Sequence, residues 1–211
     1  MKHRFLAAAL LAALSAPALA QAAAPAAAEA PKEDLVPVAI DTSLGRIVVA
    51  LDRGHAPKTT ANFLKYVDTH RYDGETFYRA MPASDGSPAL IQGGIKSDAR
   101  KLLAPVVHEP TDKTGLKNVA GAISMARLTP GTAKADFFIL VNDIPGFDAG
   151  DPQGDADGYA VFGRVVEGMD VVKKIYAAPV SAIKGEGVMK GQLLDPPVKI
   201  IKAARVGAKA K

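Results

Sequence analysis

Phe77-Tyr78-Arg79-Ala80-Met81-Pro82, followed ten residues past its proline by Gln92-Gly93-Gly94, is the stretch on which the reading of this chain turns. It sets one arginine among aromatic and apolar neighbours on a short β-prone run, with an amide side chain returning nearby. A cation held in such surroundings is either a structural ion pair or a tool. Working outward, Gly121-Ala122-Ile123-Ser124-Met125-Ala126-Arg127, Asp136-Phe137-Phe138-Ile139-Leu140 and Gly158-Tyr159-Ala160-Val161-Phe162-Gly163 supply three further strand-like runs.

The intervening chain reads as follows. Val36 to Asp41 and Arg46 to Leu51, joined by Thr42-Ser43-Leu44-Gly45, predict a hairpin. Pro57 suits the first turn of a helix whose apolar stripe is Ala61, Phe63, Leu64 and Val67, ending near Tyr72-Asp73-Gly74. Short strands are expected at 76–79, 90–93, 122–125, 137–141 and 159–162, a second helix at 169–177, and a last strand at 198–206. Two helices among eight short antiparallel strands suit a mainly β fold, a closed eight-stranded antiparallel barrel capped at its ends, because closure leaves no unpaired edge. No internal repeat is present.

Residues 1–20 have the three parts of a secretory signal: basic Lys2, His3 and Arg4, an apolar run from Phe5 to Leu14, and Ala18-Leu19-Ala20. That run falls short of the roughly 20 apolar residues that span a bilayer, so export without stable membrane insertion is expected. Residues 21–35 are read as an alanine- and proline-rich linker, 36–207 as one domain, and 208–211 as a basic tail. The chain has no cysteine, so the domain must hold itself together by burying a core without disulfides. Losing Lys2 and Arg4 leaves 24 basic against 22 acidic residues, a balance that argues against a nucleic-acid partner.

Several chemistries are excluded by inspection: the chain has no Gly-x-Ser-x-Gly elbow, no Walker loop and no His-Glu-x-x-His helix. Asp148, Asp151, Asp155 and Asp157 loosely resemble a calcium loop. In register, however, Gln153 falls on the first ligand position and Arg164 on that of the bidentate glutamate, so a solvated turn is the better reading and no metal is expected. What remains is chemistry without nucleophile, metal or cofactor. Rotation about a peptide bond preceding proline is such a reaction, since its barrier of about 18–20 kcal/mol is amide resonance. Twisting returns the lone pair to the prolyl nitrogen, so a fixed donor aimed there favours the transition state over either planar form. Arginine, always charged and rigidly forked, suits the task.

Taken in order, these blocks resemble the cyclophilins, the peptidyl-prolyl cis/trans isomerases, from about Val36 to Val206, with a divergent active site of the exported bacterial type. The resemblance implies that Arg79 is catalytic and that Gln92 contacts substrate and sets the arginine. It implies a proline pocket walled by Phe138, Leu90 and Phe147. It implies further that Met125-Ala126-Arg127 lies along the bound peptide and that Asp136 and Tyr159 line the site. The expected partners are unfolded or extended polypeptides containing Xaa-Pro, taken by a monomer without a cofactor. The alternative is a peptide-binding, holdase-like module with weak or lost catalysis. A small barrel carrying an apolar ligand is a third reading, one that leaves Arg79 and Gln92 unused.

Three departures bear on activity. The chain between Pro82 and Gln92 is about five residues longer than the family pattern, through Ala83–Ser87, and Ala89 stands where that pattern has phenylalanine, which implies a looser pocket. Asp136 replaces a glutamine; a carboxylate accepts hydrogen bonds but donates none, and its charge is expected either to draw Arg79 from the substrate or to be paired with Arg127. Without any tryptophan, the aromatic contact of cyclosporin-sensitive relatives is missing near Gly146-Phe147.

Overall fold

Alternating apolar residues on eight short segments close, in this computed structural model, into one antiparallel barrel. The structure describes residues 32–96 and 98–207; the signal reading at 1–20, the alanine-proline stretch to residue 31 and the basic tail at 208–211 lie outside the described residues. The strands are β1 (Leu35–Thr42), β2 (Gly45–Asp52), β3 (Thr76–Pro82), β4 (Pro88–Gly94), β5 (Ala122–Met125), β6 (Phe137–Leu140), β7 (Val161–Glu167) and β8 (Leu193–Arg205). Around the barrel they run β1-β2-β7-β5-β6-β4-β3-β8, with β8 returning to β1.

The helices are α1 (Pro57–Asp68), α2 (Thr111–Thr114) and α3 (Met169–Tyr176). The single turn α2 is additional to the two expected helices, and four residues are too few to show a helical period. In α1 the buried stripe is Thr60, Phe63, Leu64 and Val67, whereas Ala61 faces solvent, correcting the expected stripe by one position. Thr60 can be buried because its hydroxyl donates to the Asp52 carbonyl at 3.1 Å. The Glu109 carboxylate accepts from the backbone N–H groups of Lys58 and Thr59 at 3.2 and 2.8 Å, capping the helix from 50 residues away. The helix ends at Asp68, before the expected turn.

Three strands begin two or more residues from where the sequence implied, β4 among them at Pro88 rather than 90. β7 occupies 161–167 rather than 159–162, and β8 starts five residues before the expected Val198. Pro196-Pro197 hid that early start, since prolines cannot donate to a ladder. Glu33 and Asp34 are already fastened to the domain, by Arg164 at 3.1 Å and Arg53 at 2.7 Å.

Alternation along the strands divides the apolar residues into two clusters. Inside the barrel lie Phe77, Ile91, Ile123, Met125, Phe137, Ile139 and Phe162, with Phe63 of α1 plugging one end. Phe63 stacks within 5.0–5.2 Å of Tyr72, Phe137 and Phe162. On the outer face Leu90, Ala122, Phe138, Leu140 and Val161 form a second cluster, covered by Ile144, Phe147 and Tyr159 of the connecting loops. Phe137 and Phe138 therefore face opposite sides, with Phe138 outside.

Candidate active site

The outer face is built around a β-bulge. Phe77 pairs with Gly93 and Arg79 with Gln92, so Tyr78 is an extra residue on β3. Phe77 and Ala80 both enter the barrel core, while Tyr78 and Arg79 are turned together toward the outer cavity. The bulge thus aims two consecutive side chains at one place, which simple alternation forbids.

Arg79 is half-buried and held on two sides. Its Nη1 donates to Gln92 Oε1 at 3.1 Å, and its Nε and Nη2 donate to Gln192 Oε1 at 2.8 and 2.6 Å. Burial draws its pKa below the ordinary value, yet a guanidinium remains charged. Gln192 is the residue the sequence reading missed. It lies 113 positions from Arg79, in the irregular segment between α3 and β8, where no period or motif marks it.

Asp136 overturns both expectations placed on it. It accepts from the Tyr78 hydroxyl at 3.1 Å, while Arg79 binds Gln92 and Gln192 and Arg127 binds Gly158 and Asp155. Arg127 is instead a clamp: it donates to the Gly158 carbonyl at 3.0 and 2.5 Å, pairs with Asp155 at 2.9 Å, and lies 5.0 Å from the Tyr159 ring centroid. Lys96 sits 4.8 Å from the Tyr78 ring centroid. Burial raises the Asp136 pKa, opposed by the Tyr78 hydroxyl bond, and the Tyr78 pKa is raised in turn by burial and by the neighbouring carboxylate.

A carboxyl whose folded pKa is raised contributes stability below its unfolded value, and loses it as pH rises through the folded value. Asp136→Asn keeps an oxygen for the Tyr78 hydroxyl while removing the buried charge. Its Tm should gain on wild type as pH rises from about 4 to 7, read by thermal denaturation at a series of pH values. A difference in Tm that shrinks over that range refutes the assignment.

Two cavities open on this face. The larger, about 780 Å³, is lined by Tyr78, Arg79, Gln92, Ala126, Arg127 and Asp136 among others. The smaller, about 340 Å³, is bounded by Met81, Ser84, Ile144, Phe147 and Tyr159. Phe138, Phe147 and Tyr159 form an aromatic triad with centroids 4.7–5.7 Å apart. Leu90 and Phe138, each 3% exposed, are buried in the cluster beneath Phe147 and Tyr159. Met125, expected beside a bound peptide, points instead into the barrel core and is 1% exposed. Its neighbour Ala126 takes the outward position, as alternation requires.

The longer Ala83–Ser87 connection is an ordered turn, closed by Ala83 N–H to the Ser87 carbonyl at 2.8 Å and Ser87 N–H to Asp85 Oδ1 at 2.9 Å. It contributes Ala83 and Ser84 to the smaller cavity's wall. In the acidic loop, Asp148 accepts from Asn118 while Asp151 and Asp155 accept from backbone N–H groups, as solvated turns do.

Residues 37–205 match the family described as cyclophilin type peptidyl-prolyl cis-trans isomerase. A peptidyl-prolyl cis-trans isomerase of Streptomyces antibioticus is 37% identical over 175 residues, covering 80% of this chain and 97% of that protein. Peptidyl-prolyl cis-trans isomerase A of Dickeya dadantii is 38% identical over 172 residues, covering 80% and 83%. Among solved structures, a cyclophilin type isomerase of Cryptosporidium parvum superposes with a TM-score of 0.64 at 20% identity, covering 83% of this chain and 100% of that one, which speaks to the fold.

Proposed function

As the chain belongs to the cyclophilin-type peptidyl-prolyl cis-trans isomerase family and is such an isomerase, we propose that it twists Xaa-Pro bonds of unfolded or extended exported polypeptides with Arg79 as its catalytic donor. The observation that carries this reading is an immobilised, partly desolvated guanidinium beside an aromatic recess. A guanidinium has five N–H donors, of which three are spent on Gln92 and Gln192, so each terminal nitrogen keeps one for a ligand.

With a prolyl ring against Phe138, Phe147 and Tyr159, the arginine stands beside the prolyl nitrogen. In the planar amide that nitrogen's lone pair is delocalised and accepts weakly; in the twisted form it is localised, and the donor binds it strongly. Because the arginine is already oriented and half-buried, little reorganisation accompanies that gain. The Gln92 Oε1 holds Arg79, leaving its amide N–H groups for the flanking peptide carbonyl. Ala126 supplies a flat wall, and Arg127 acts through the loop it clamps rather than on the peptide. Asp136, held by Tyr78, does not compete for Arg79, which removes a reason to expect weak catalysis.

The decisive measurement is the cis/trans exchange rate of a short Xaa-Pro peptide, by exchange spectroscopy, with and without the protein. Acceleration is expected. Binding without acceleration would make the protein a proline-peptide holdase instead.

The setting we propose is export: signal 1–20, linker, one catalytic domain, and action as a monomer outside the cytoplasmic membrane, in the periplasm of a Gram-negative source. Among the described residues no helix is long and apolar enough to cross a membrane. The mature chain should begin near Gln21, by intact-mass measurement on fractionated cells. Recovery of full-length chain from the membrane fraction would refute this setting.

A further inference from the structure

Gln192 grips the catalytic candidate along a different edge from Gln92. One oxygen, Gln192 Oε1, receives both Nε and Nη2 of Arg79, at 2.8 and 2.6 Å. An acceptor shared by Nε and Nη2 fixes the plane of the guanidinium as well as its position, and Gln92 on Nη1 completes the restraint. The grip is itself anchored in the barrel. The Ala80 N–H donates to the Gln192 carbonyl at 2.9 Å, Leu193 stands opposite Arg79 in the β3–β8 pairing, and the Gln192 N–H donates to the Met189 carbonyl at 3.1 Å.

The chemistry of the acceptor matters as much as its place. Carboxylates are the usual bidentate partners of arginine and would neutralise it. Here both partners are amides, which orient the cation and leave its charge uncompensated. Asp136, the carboxylate lining the same cavity, is bound to Tyr78 instead.

We propose that Gln192 is a positioning residue of the isomerase, holding the Arg79 plane so that its two spare N–H groups face the prolyl nitrogen while preserving the positive charge that the twisted amide needs. The proposal rests on Arg79 being the donor. It assigns a function to the segment between α3 and β8, whose last residue would otherwise be a connector.

Two variants test it, with kcat and KM taken from peptide exchange over a range of concentrations and Tm taken alongside. Gln192→Met keeps length and removes the acceptor; kcat should fall about tenfold with KM within about twofold. Gln192→Glu keeps an acceptor for both N–H groups and adds charge. Its Tm should equal or exceed that of wild type while kcat falls at least as far as in Gln192→Met, a combination that a merely structural glutamine would not give. Wild-type kcat in either folded variant, or a loss confined to KM, overturns the proposal, and should Gln192→Met not fold, Gln192→Glu decides alone. Arg79→Ala, measured in parallel, separates the two layers. If it keeps full activity, the donor assignment fails and this proposal with it; if it is inactive while the Gln192 variants are not, only this proposal fails.

Discussion

Arg79→Ala should lower kcat/KM for a short Xaa-Pro peptide by roughly tenfold to a thousandfold, about 1.4–4 kcal/mol of transition-state stabilisation. The loss should fall mainly on kcat, since the guanidinium meets a good acceptor only when the prolyl nitrogen regains its lone pair. Folding should change little. The residues left behind, Gln92 and Gln192, are partly exposed, so their amide oxygens can turn to water rather than stay buried without a partner. Arg79→Lys is the informative companion. It retains charge but has neither the Nε donor nor the planar fork that Gln92 and Gln192 hold, so it should recover only a small part of the activity. Exchange rates at the wild-type level in Arg79→Ala, with a normal circular dichroism spectrum, would remove the centre of the functional assignment.

The parts of this site legible in the sequence are those written in local alternation. Phe137 and Phe138 cannot share a face, and once a barrel is inferred one must be inside and the other outside, as they are. The same rule sends Met125 inward, and membership of a three-residue family segment does not change that, because consecutive strand residues cannot all face a bound peptide. The bulge at Tyr78 had no such signal, because it exists only in the pairing of β3 with β4. Without it, alternation from the core-facing Phe77 would leave Tyr78 outward and send Arg79 into the core, away from the outer cavity. Gln192 was less legible still. Its contact with Arg79 depends on where β8 begins, and the double proline at 196–197 concealed that beginning. The pairing of charges is hidden for a related reason: Asp136 and Arg127 are close in sequence, but the turn between β5 and β6 sends one side chain to β3 and the other to the loop at 155–159.

The two glycines after Gln92 support a second large effect, on stability. A Cβ at Gly93 would lie 2.9 Å from Phe77 Cδ1 and 3.1 Å from the Thr76 carbonyl oxygen, so β3 and β4 pack as closely as they do only without one. Gly94 is tighter. Its φ is +151°, a region side chains disfavour, and a Cβ there would stand 2.0 Å from Asp136 Oδ1 and 2.7 Å from the Asp136 Cα. A flexible carboxylate could retreat; the Cα cannot, because Phe137 next to it pairs with Gly93 in the β4–β6 ladder. Gly94→Ala should therefore destabilise the domain by about 2–4 kcal/mol, combining overpacking with backbone strain, and lower Tm by roughly 5–15 °C. Urea denaturation followed by circular dichroism measures it, with an unchanged m-value showing that the denatured state is not the cause. Adding Asp136→Ala removes the carboxylate but leaves the Cα, so rescue should be partial in a double-mutant cycle. Complete rescue would mean that the side chain alone blocks the site. Wild-type stability in Gly94→Ala would show that the strand approach holding Gln92 beside Arg79 is looser than the close packing of Gly94 on Asp136 requires.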